Sequence, residues 1–298
     1  MLGSALVTFA KGAGYVLLTP SHAELDLSKE ADVFGYFEQF KPEAIIHTAA
    51  PVGGIKFSIE NAFHQLSQSV LIDSNITRAA KQNNIKNFIY VGSTCMYPRN
   101  RDVAMAETEL LTGPLEQTNE GYALAKLVGA KTVELVSQET QFSWRTFILS
   151  NLYGPGDRFD PTRSHLVAAI IHKVSEAHKN GFKEVEMWGS GSSFREFTYV
   201  NDVAEFMIQQ LPNLSMLPQN LNIGAGIDYS IRQYYEMVCN VIGYKGEIKP
   251  ILGMSEGMRK KLSDITLARK HGWSPKISIE TGLSETIKWY ESHLEDSK

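Results

Sequence analysis

A chain of 298 residues with 43% hydrophobic content has enough apolar surface for one or two packed domains. Its formal charge of -4 and its scattered lysines and arginines give no basic stripe for a nucleic-acid backbone. No apolar run approaches the roughly 20 residues that cross a bilayer, and no basic segment leads into a cleavable apolar one, so the expectation is a cytoplasmic protein without a membrane partner.

Met1 to Val7 read as the opening of a helix, with Gly3 where the last glycine of a dinucleotide fingerprint permits close helix–strand packing. No strand precedes it, and neither do the earlier glycines that let backbone approach a pyrophosphate. In a doubly wound sheet the first strand lies between the second and the fourth, so its omission would leave two buried edges with unpaired backbone groups. The chain therefore reads as shortened at its start, and weak dinucleotide binding is expected. Gly14 to Thr19 read as the second strand, ending beside an adenosine ribose. Ser21 and His22 then offer a hydroxyl and an imidazole to a 2′-phosphate. No acidic residue stands at the strand end to select a free 2′-hydroxyl, which favours NADP over NAD.

Residues 31 to 40 have helical periodicity, and Ala44 to His47 form a short buried strand. The small residues Thr48, Ala49 and Ala50 close it, either to admit a flat cofactor edge or for tight packing alone. Gly53-Gly54 gives a turn at the site wall. A long helix follows over 67–82, then a strand over 87–91 that delivers Ser93 to the carboxyl edge, where open parallel sheets bind ligands. Residues 99 to 119 read as a polar loop over the site, and 121 to 139 as a helix carrying Tyr122 and Lys126. The apolar residues of this helix and the one before it suit either packing on the sheet or a dimer interface. Residues 142–149 form the next strand, with Asn151 and Leu152 at its exit. Beyond it come a helix over 164–179, strands over 185–188 and 194–200, a helix over 203–211 and a late sheet strand over 221–224. The amphipathic stretch 231–242 places Cys239 in a core. The remainder, including Lys260, Lys261 and a helix ending at His271-Gly272, reads as a small lobe.

The expected fold is α/β: a doubly wound, Rossmann-type parallel sheet lacking its first strand and Gly-rich loop, with a smaller C-terminal α+β substrate lobe. Residues 1–155 with about 196–226 would bind dinucleotide; 156–195 with 227–298 would bind substrate.

Ser93, Tyr122 and Lys126 suit proton transfer beside a hydride. The (i, i+4) spacing puts Tyr122 and Lys126 on one helix face, where the ammonium would favour the phenolate and lower the phenol from its usual value of about 10. Ser93 would hydrogen-bond the same substrate oxygen. Cys95 and His165, taken alone, read as a core thiol and a helix-start residue. The two also suit the base and acid that invert a carbon beside a ketone from opposite faces.

Val52-Gly53-Gly54, Gly92 to Pro98, Pro114 to Glu120, Asn151 to Pro155 and Trp188 to Gly191 together resemble the GDP-L-fucose synthases of the extended short-chain dehydrogenase/reductase family. The likeness runs from about Gly3 to about Trp289. It implies NADPH-dependent 3,5-epimerisation and 4-reduction of GDP-4-keto-6-deoxy-D-mannose by Ser93, Cys95, Tyr122, Lys126 and His165. Implied cofactor contacts are Gly3, Ser21, His22, Leu27, Ala49, Ala50, Val91, Ser93, Lys126, Asn151, Leu152 and His165. For the GDP-sugar they are Asn151, Lys173, Trp188, Arg195 and Lys261, where Lys173 keeps charge but loses the fork of an arginine. A homodimer through the Tyr122 helix and the helix before it is also implied. A related GDP-6-deoxy-sugar enzyme, or a binding module impaired by its short N-terminus, are the alternatives.

Overall fold

A computed structural model describes residues 1–99, 102–160, 164–253 and 258–295. The chain opens with helices α1 (Leu2–Gly12) and α2 (Glu30–Phe40), strand β1 (Ala44–His47), and helices α3 (Ile55–Glu60) and α4 (Ala62–Gln82). There follow β2 (Asn87–Ser93), α5 (Glu120–Thr140), β3 (Ser143–Leu149), β4 (Asn151–Tyr153), α6 (Leu166–Lys179) and β5 (Glu184–Trp188). The last third holds β6 (Phe194–Arg195), β7 (Phe197–Tyr199), α7 (Val200–Gln210), β8 (Asn220–Ile223), β9 (Tyr229–Ser230) and α8 (Ile231–Ile242). It ends with β10 (Glu247–Ile251), α9 (Thr266–Lys270) and α10 (Ile279–Glu295). Among the described residues no helix is long and apolar enough to cross a membrane.

The main sheet is parallel, in the order β1-β2-β3-β8. Alternate residues serve its two faces, as the two-residue period of a strand requires. Ile89, Phe147, Leu149, Leu221 and Ile223 meet α1 and α7, while Phe88, Tyr90 and Trp144 meet α2, α4 and α5. Burial on both sides explains why these strands read as apolar runs. A second cluster joins α6, α8 and α10 to β4, β5 and β7. Residues Ile265, Ala268 and Trp273, late in the chain, pack on the sheet cluster beside β8.

The expected strand over 14–19 does not form. Its N-terminal end is the tail of α1, with Tyr15 N–H donating to the Ala10 carbonyl, and Tyr15, Val16 and Leu18 are exposed. Among the described residues no strand lies on the free side of β1, so this segment has nothing to pair with. Ala44, Ile45 and Ile46 are only half-buried, and the edge expected to be buried is partly wet. The strand expected over 194–200 is split. Phe194–Arg195 pairs antiparallel with β9, Phe197–Tyr199 pairs parallel with β4, and Val200 already begins α7. Glu196 makes the break: its buried carboxylate accepts from the Gly226 N–H at 2.7 Å and the Ser263 N–H at 2.8 Å, which ties three segments together. The expected polar loop over 99–119 includes residues 100 and 101, outside the described set; its described part holds only short turns, as anticipated.

Candidate active site

Parallel pairing carries β2 to Ser93, opposite Leu149 of β3, and ends there. The Ser93 hydroxyl accepts from the Cys95 N–H at 3.2 Å and caps a single turn over Thr94–Met96. That turn brings the Cys95 thiol back beside the hydroxyl. From α5, Tyr122 hydrogen-bonds Ser93 and lies close enough to Cys95 to feel its charge.

Two groups converge on the sulfur from far along the chain. Asn119, at the N-cap of α5, makes no side-chain bond to its own helix and instead donates Nδ2 to Cys95 Sγ at 3.1 Å. Lys261 donates Nζ to the same sulfur at 3.0 Å and is buried. Burial opposes ionisation of the thiol, but the Lys261 ammonium and its hydrogen bond, the Ser93 hydrogen bond and the Arg195 charge together outweigh it. The thiol lies below its ordinary value. Cys239 is the contrast, buried and pushed up to about 11.

Tyr122 behaves oppositely. Burial and the Cys95 charge raise its phenol above the usual value, against the Ser93 hydrogen bond, and Asp73 adds to the rise. The expected lowering by Lys126 is absent. The Lys126 ammonium is buried and sits over the Tyr90 ring, 4.7 Å from its centroid, where the charge it answers to is Asp73. The pair shares a helix, yet the ammonium turns toward the packed side of α5.

The expected cofactor residues divide. His22, Leu27 and Ala49 line one cleft of about 560 Å³, together with Pro20, His64 and Gln68. Ser21 is nearby in sequence, but its N–H and hydroxyl both donate to Glu24 Oε2 at 2.8 Å, and Glu24 is held below the usual carboxylate range by those bonds. An acidic group therefore stands where the sequence offered a hydroxyl to phosphate. Gly3 faces Thr48, whose hydroxyl would lie 3.8 Å from an added Cβ, so the first turn of α1 abuts the end of β1. Ala50 and Val91 are half-buried along the same sheet edge, and Leu152 packs against the sheet cluster. Asn151 donates Nδ2 to the Glu196 carbonyl at 3.0 Å, leaving its side-chain oxygen for other partners. His165 stands at the N-cap of α6 and its charge acts on Asp157. Ser93, Asn119, Lys261 and Arg195 act on the thiol and the thiol in turn acts on Tyr122, whereas the action shown for His165 is on Asp157.

Of the expected sugar-nucleotide residues, Lys173 and Trp188 are together: Nζ lies 4.8 Å above the indole and donates to the Glu186 carbonyl at 3.3 Å. Trp188 is 55% exposed, an open stacking face. Arg195 Nη1 donates to the Phe194 and Met258 carbonyls at 2.7 and 2.6 Å, which fixes the guanidinium near Cys95. Lys261, expected on the GDP-sugar, is found on the thiol. Sequence reading missed Asn119, whose local signal is an asparagine directly before a helix start.

The model of the NAD dependent epimerase/dehydratase family matches residues 1–224. The chain belongs to this family. The protein is 41% identical over 291 residues to the GDP-L-colitose synthase of Yersinia pseudotuberculosis, spanning 97% of this chain and 94% of that one. It is 38% identical over 290 residues to the GDP-L-fucose synthase of Azorhizobium caulinodans, spanning 97% and 93%. Among solved structures, a GDP-6-OMe-4-keto-L-xylo-heptose reductase from C. jejuni superposes with a TM-score of 0.91 at 27% identity, covering 98% of this chain and 95% of that one. A GDP-mannoheptose C4 reductase from Campylobacter jejuni with NADP bound gives 0.87 at 28%, covering 97% and 95%. The doubly wound epimerase/dehydratase fold expected from the sequence is thus the fold of this family member.

Removing the cation at the sulfur should raise the Cys95 thiol. Lys261→Met is expected to slow iodoacetamide alkylation of Cys95 at pH 7 by about tenfold and to shift its pH profile upward. Mass spectrometry of the Cys95 peptide checks this, with Cys239 as the slow internal reference.

Proposed function

We propose that this family member is an NADPH-dependent epimerase-reductase that converts GDP-4-keto-6-deoxy-D-mannose to GDP-L-fucose. The observation that carries the reading is the convergence of the Ser93 hydroxyl, a phenol held in its proton-bearing form and a thiol biased toward thiolate at one sheet edge. A ketone set between Ser93 and Tyr122 accepts two hydrogen bonds, and Tyr122 gives its proton to the oxygen as carbon 4 is reduced. Cys95 takes a proton from a carbon beside that ketone, Ser93 and Tyr122 hold the enolate oxygen, and His165 returns a proton from the other face. Lys126 keeps a positive charge behind the phenol, and Lys261 and Arg195 keep the thiolate.

The residues present fit NADPH, which supplies a hydride when bound. The cleft of about 560 Å³ joins the apolar Leu27 and Ile72 to the imidazoles of His22 and His64, suited to an adenine and a nearby phosphate. The N-terminal end of α1 beside β1 favours an anion. At the other end of the substrate, Trp188 offers its face to a guanine, Lys173 and Arg195 their charge to a diphosphate, and the oxygen of Asn151 a bond to the sugar. The two parts expected from the sequence then divide this labour between cofactor and sugar nucleotide. The 41% identity to a GDP-L-colitose synthase supports a second reading, in which a related GDP-deoxy sugar is the substrate. Two free thiols suit a reducing compartment such as the cytoplasm.

We also infer a homodimer through α4 and α5. Leu124, Val128 and Leu135 form an exposed apolar stripe on α5, with Phe63 and Leu71 exposed on α4.

Loss of NADPH absorbance with GDP-4-keto-6-deoxy-D-mannose, or with the 4-keto precursor of GDP-L-colitose, tests the reaction and ranks the two substrates. Wild type is expected to consume NADPH, and Tyr122→Phe to lose about 100-fold or more in kcat; no consumption with either sugar would refute the reading. Light scattering should find a dimer for wild type and a monomer for Val128→Glu.

A further inference from the structure

Behind the catalytic face of α5 lies a buried polar cluster of which the reaction as written above uses only Lys126. Asp73, from the middle of α4, accepts from the Tyr90 hydroxyl at 2.5 Å through Oδ2 and meets His47 Nε2 at 2.8 Å through Oδ1. All three side chains are almost fully buried, Tyr90 at 0%, Asp73 at 3% and His47 at 4% exposure. Lys126 completes the cluster over the Tyr90 ring and is itself 2% exposed. The helix is cut back to make room: a Cβ on Gly129, one turn beyond Lys126, would lie 2.2 Å from the Tyr90 hydroxyl and 2.6 Å from Asp73 Oδ2.

An ammonium without a counter-charge in such a dry place would shed its proton, and a carboxylate alone there would take one up. Among the described residues, the charged or titratable groups that the structure sets about Lys126 are Asp73 from α4 and Tyr90 from β2, with Tyr122 one turn back on its own helix and His47 of β1 behind Asp73. Asp73 is the one acid among them.

We propose that Asp73 is a positioning residue: clamped by His47 and Tyr90, its carboxylate is the buried counter-charge that keeps the Lys126 ammonium charged and in place behind Tyr122. The proposal rests on the reading of Tyr122 and Lys126 as the reductase's acid–base pair. Burial holds Lys126 below its ordinary value while Asp73 works against that fall. The same carboxylate helps hold the Tyr122 phenol protonated, the form a proton donor needs. Asp73 thus acts on both members of the pair without touching substrate.

Lysine labelled with carbon-13 at Cε reads the Lys126 titration directly by NMR, independently of any sugar or nucleotide. Asp73→Asn is expected to lower the Lys126 midpoint by about one pH unit or more, and Asp73→Glu to restore it. With the 4-keto sugar, Asp73→Asn should lose the alkaline limb of kcat at correspondingly lower pH, with KM within about twofold of wild type. A midpoint unchanged in Asp73→Asn overturns the proposal. Should that variant not fold alone, the pair is read from Lys126→Met, which strands the carboxylate. Adding Asp73→Asn to Lys126→Met should then raise the melting temperature, and a double variant no more stable than Lys126→Met overturns the proposal as well. A shifted midpoint in a protein that consumes no NADPH would instead count against the reductase reading alone.

Discussion

The placement of the site depends on the parallel ladder that holds β2 between β1 and β3 and stops at Ser93 opposite Leu149. Because both faces of that sheet are buried, the strand cannot slip without moving Phe88 and Tyr90 out of one core and Ile89 out of the other. Its last hydroxyl is therefore fixed, and the turn that the hydroxyl caps fixes the thiol. The phenol of α5, the amide of Asn119 and the ammonium of Lys261 then have a defined point on which to close.

The cleft works by setting two neighbouring groups in opposite directions. Burial alone would raise both the phenol and the thiol. At the thiol, Lys261 and Arg195 reverse the sign; at the phenol no comparable cation does, and the charge next to it is the thiol itself. In the function proposed above, the outcome is a base and an acid side by side, the division of labour that epimerisation followed by reduction requires. A thiolate beside the phenol also keeps the phenol protonated. Lys126 enters through a different contact, over the ring of Tyr90, whose hydroxyl Asp73 holds.

What the sequence revealed was local. Ser93 and Cys95 lie two residues apart at a strand end, and Tyr122 opens a helix, so the roles proposed for them follow from short-range geometry and from the resemblance of the surrounding words. The Lys261–Cys95 contact spans 166 residues, and no periodicity announces it. The turn of Lys126 toward Asp73 was likewise hidden, because (i, i+4) spacing gives a shared face but not the direction of a long flexible side chain. Asp73 lies in the middle of a long helix, where no motif or spacing sets it apart from the other polar positions. The strand misread at 14–19 has the composition of a strand, but a ladder also needs a neighbour, and composition is silent on that. Glu196 broke an apparent single strand for a similar reason: its partners, Gly226 and Ser263, come from elsewhere in the chain.

The most direct test of this account is the reaction of GDP-4-keto-6-deoxy-D-mannose and NADPH in D₂O, with the product sugar analysed by NMR. Wild type should place solvent deuterium on carbons 3 and 5, whereas Cys95→Ser should still reduce carbon 4 and leave those two carbons undeuterated. Deuteration by Cys95→Ser at the wild-type level would remove the thiol from the chemistry and contradict the account.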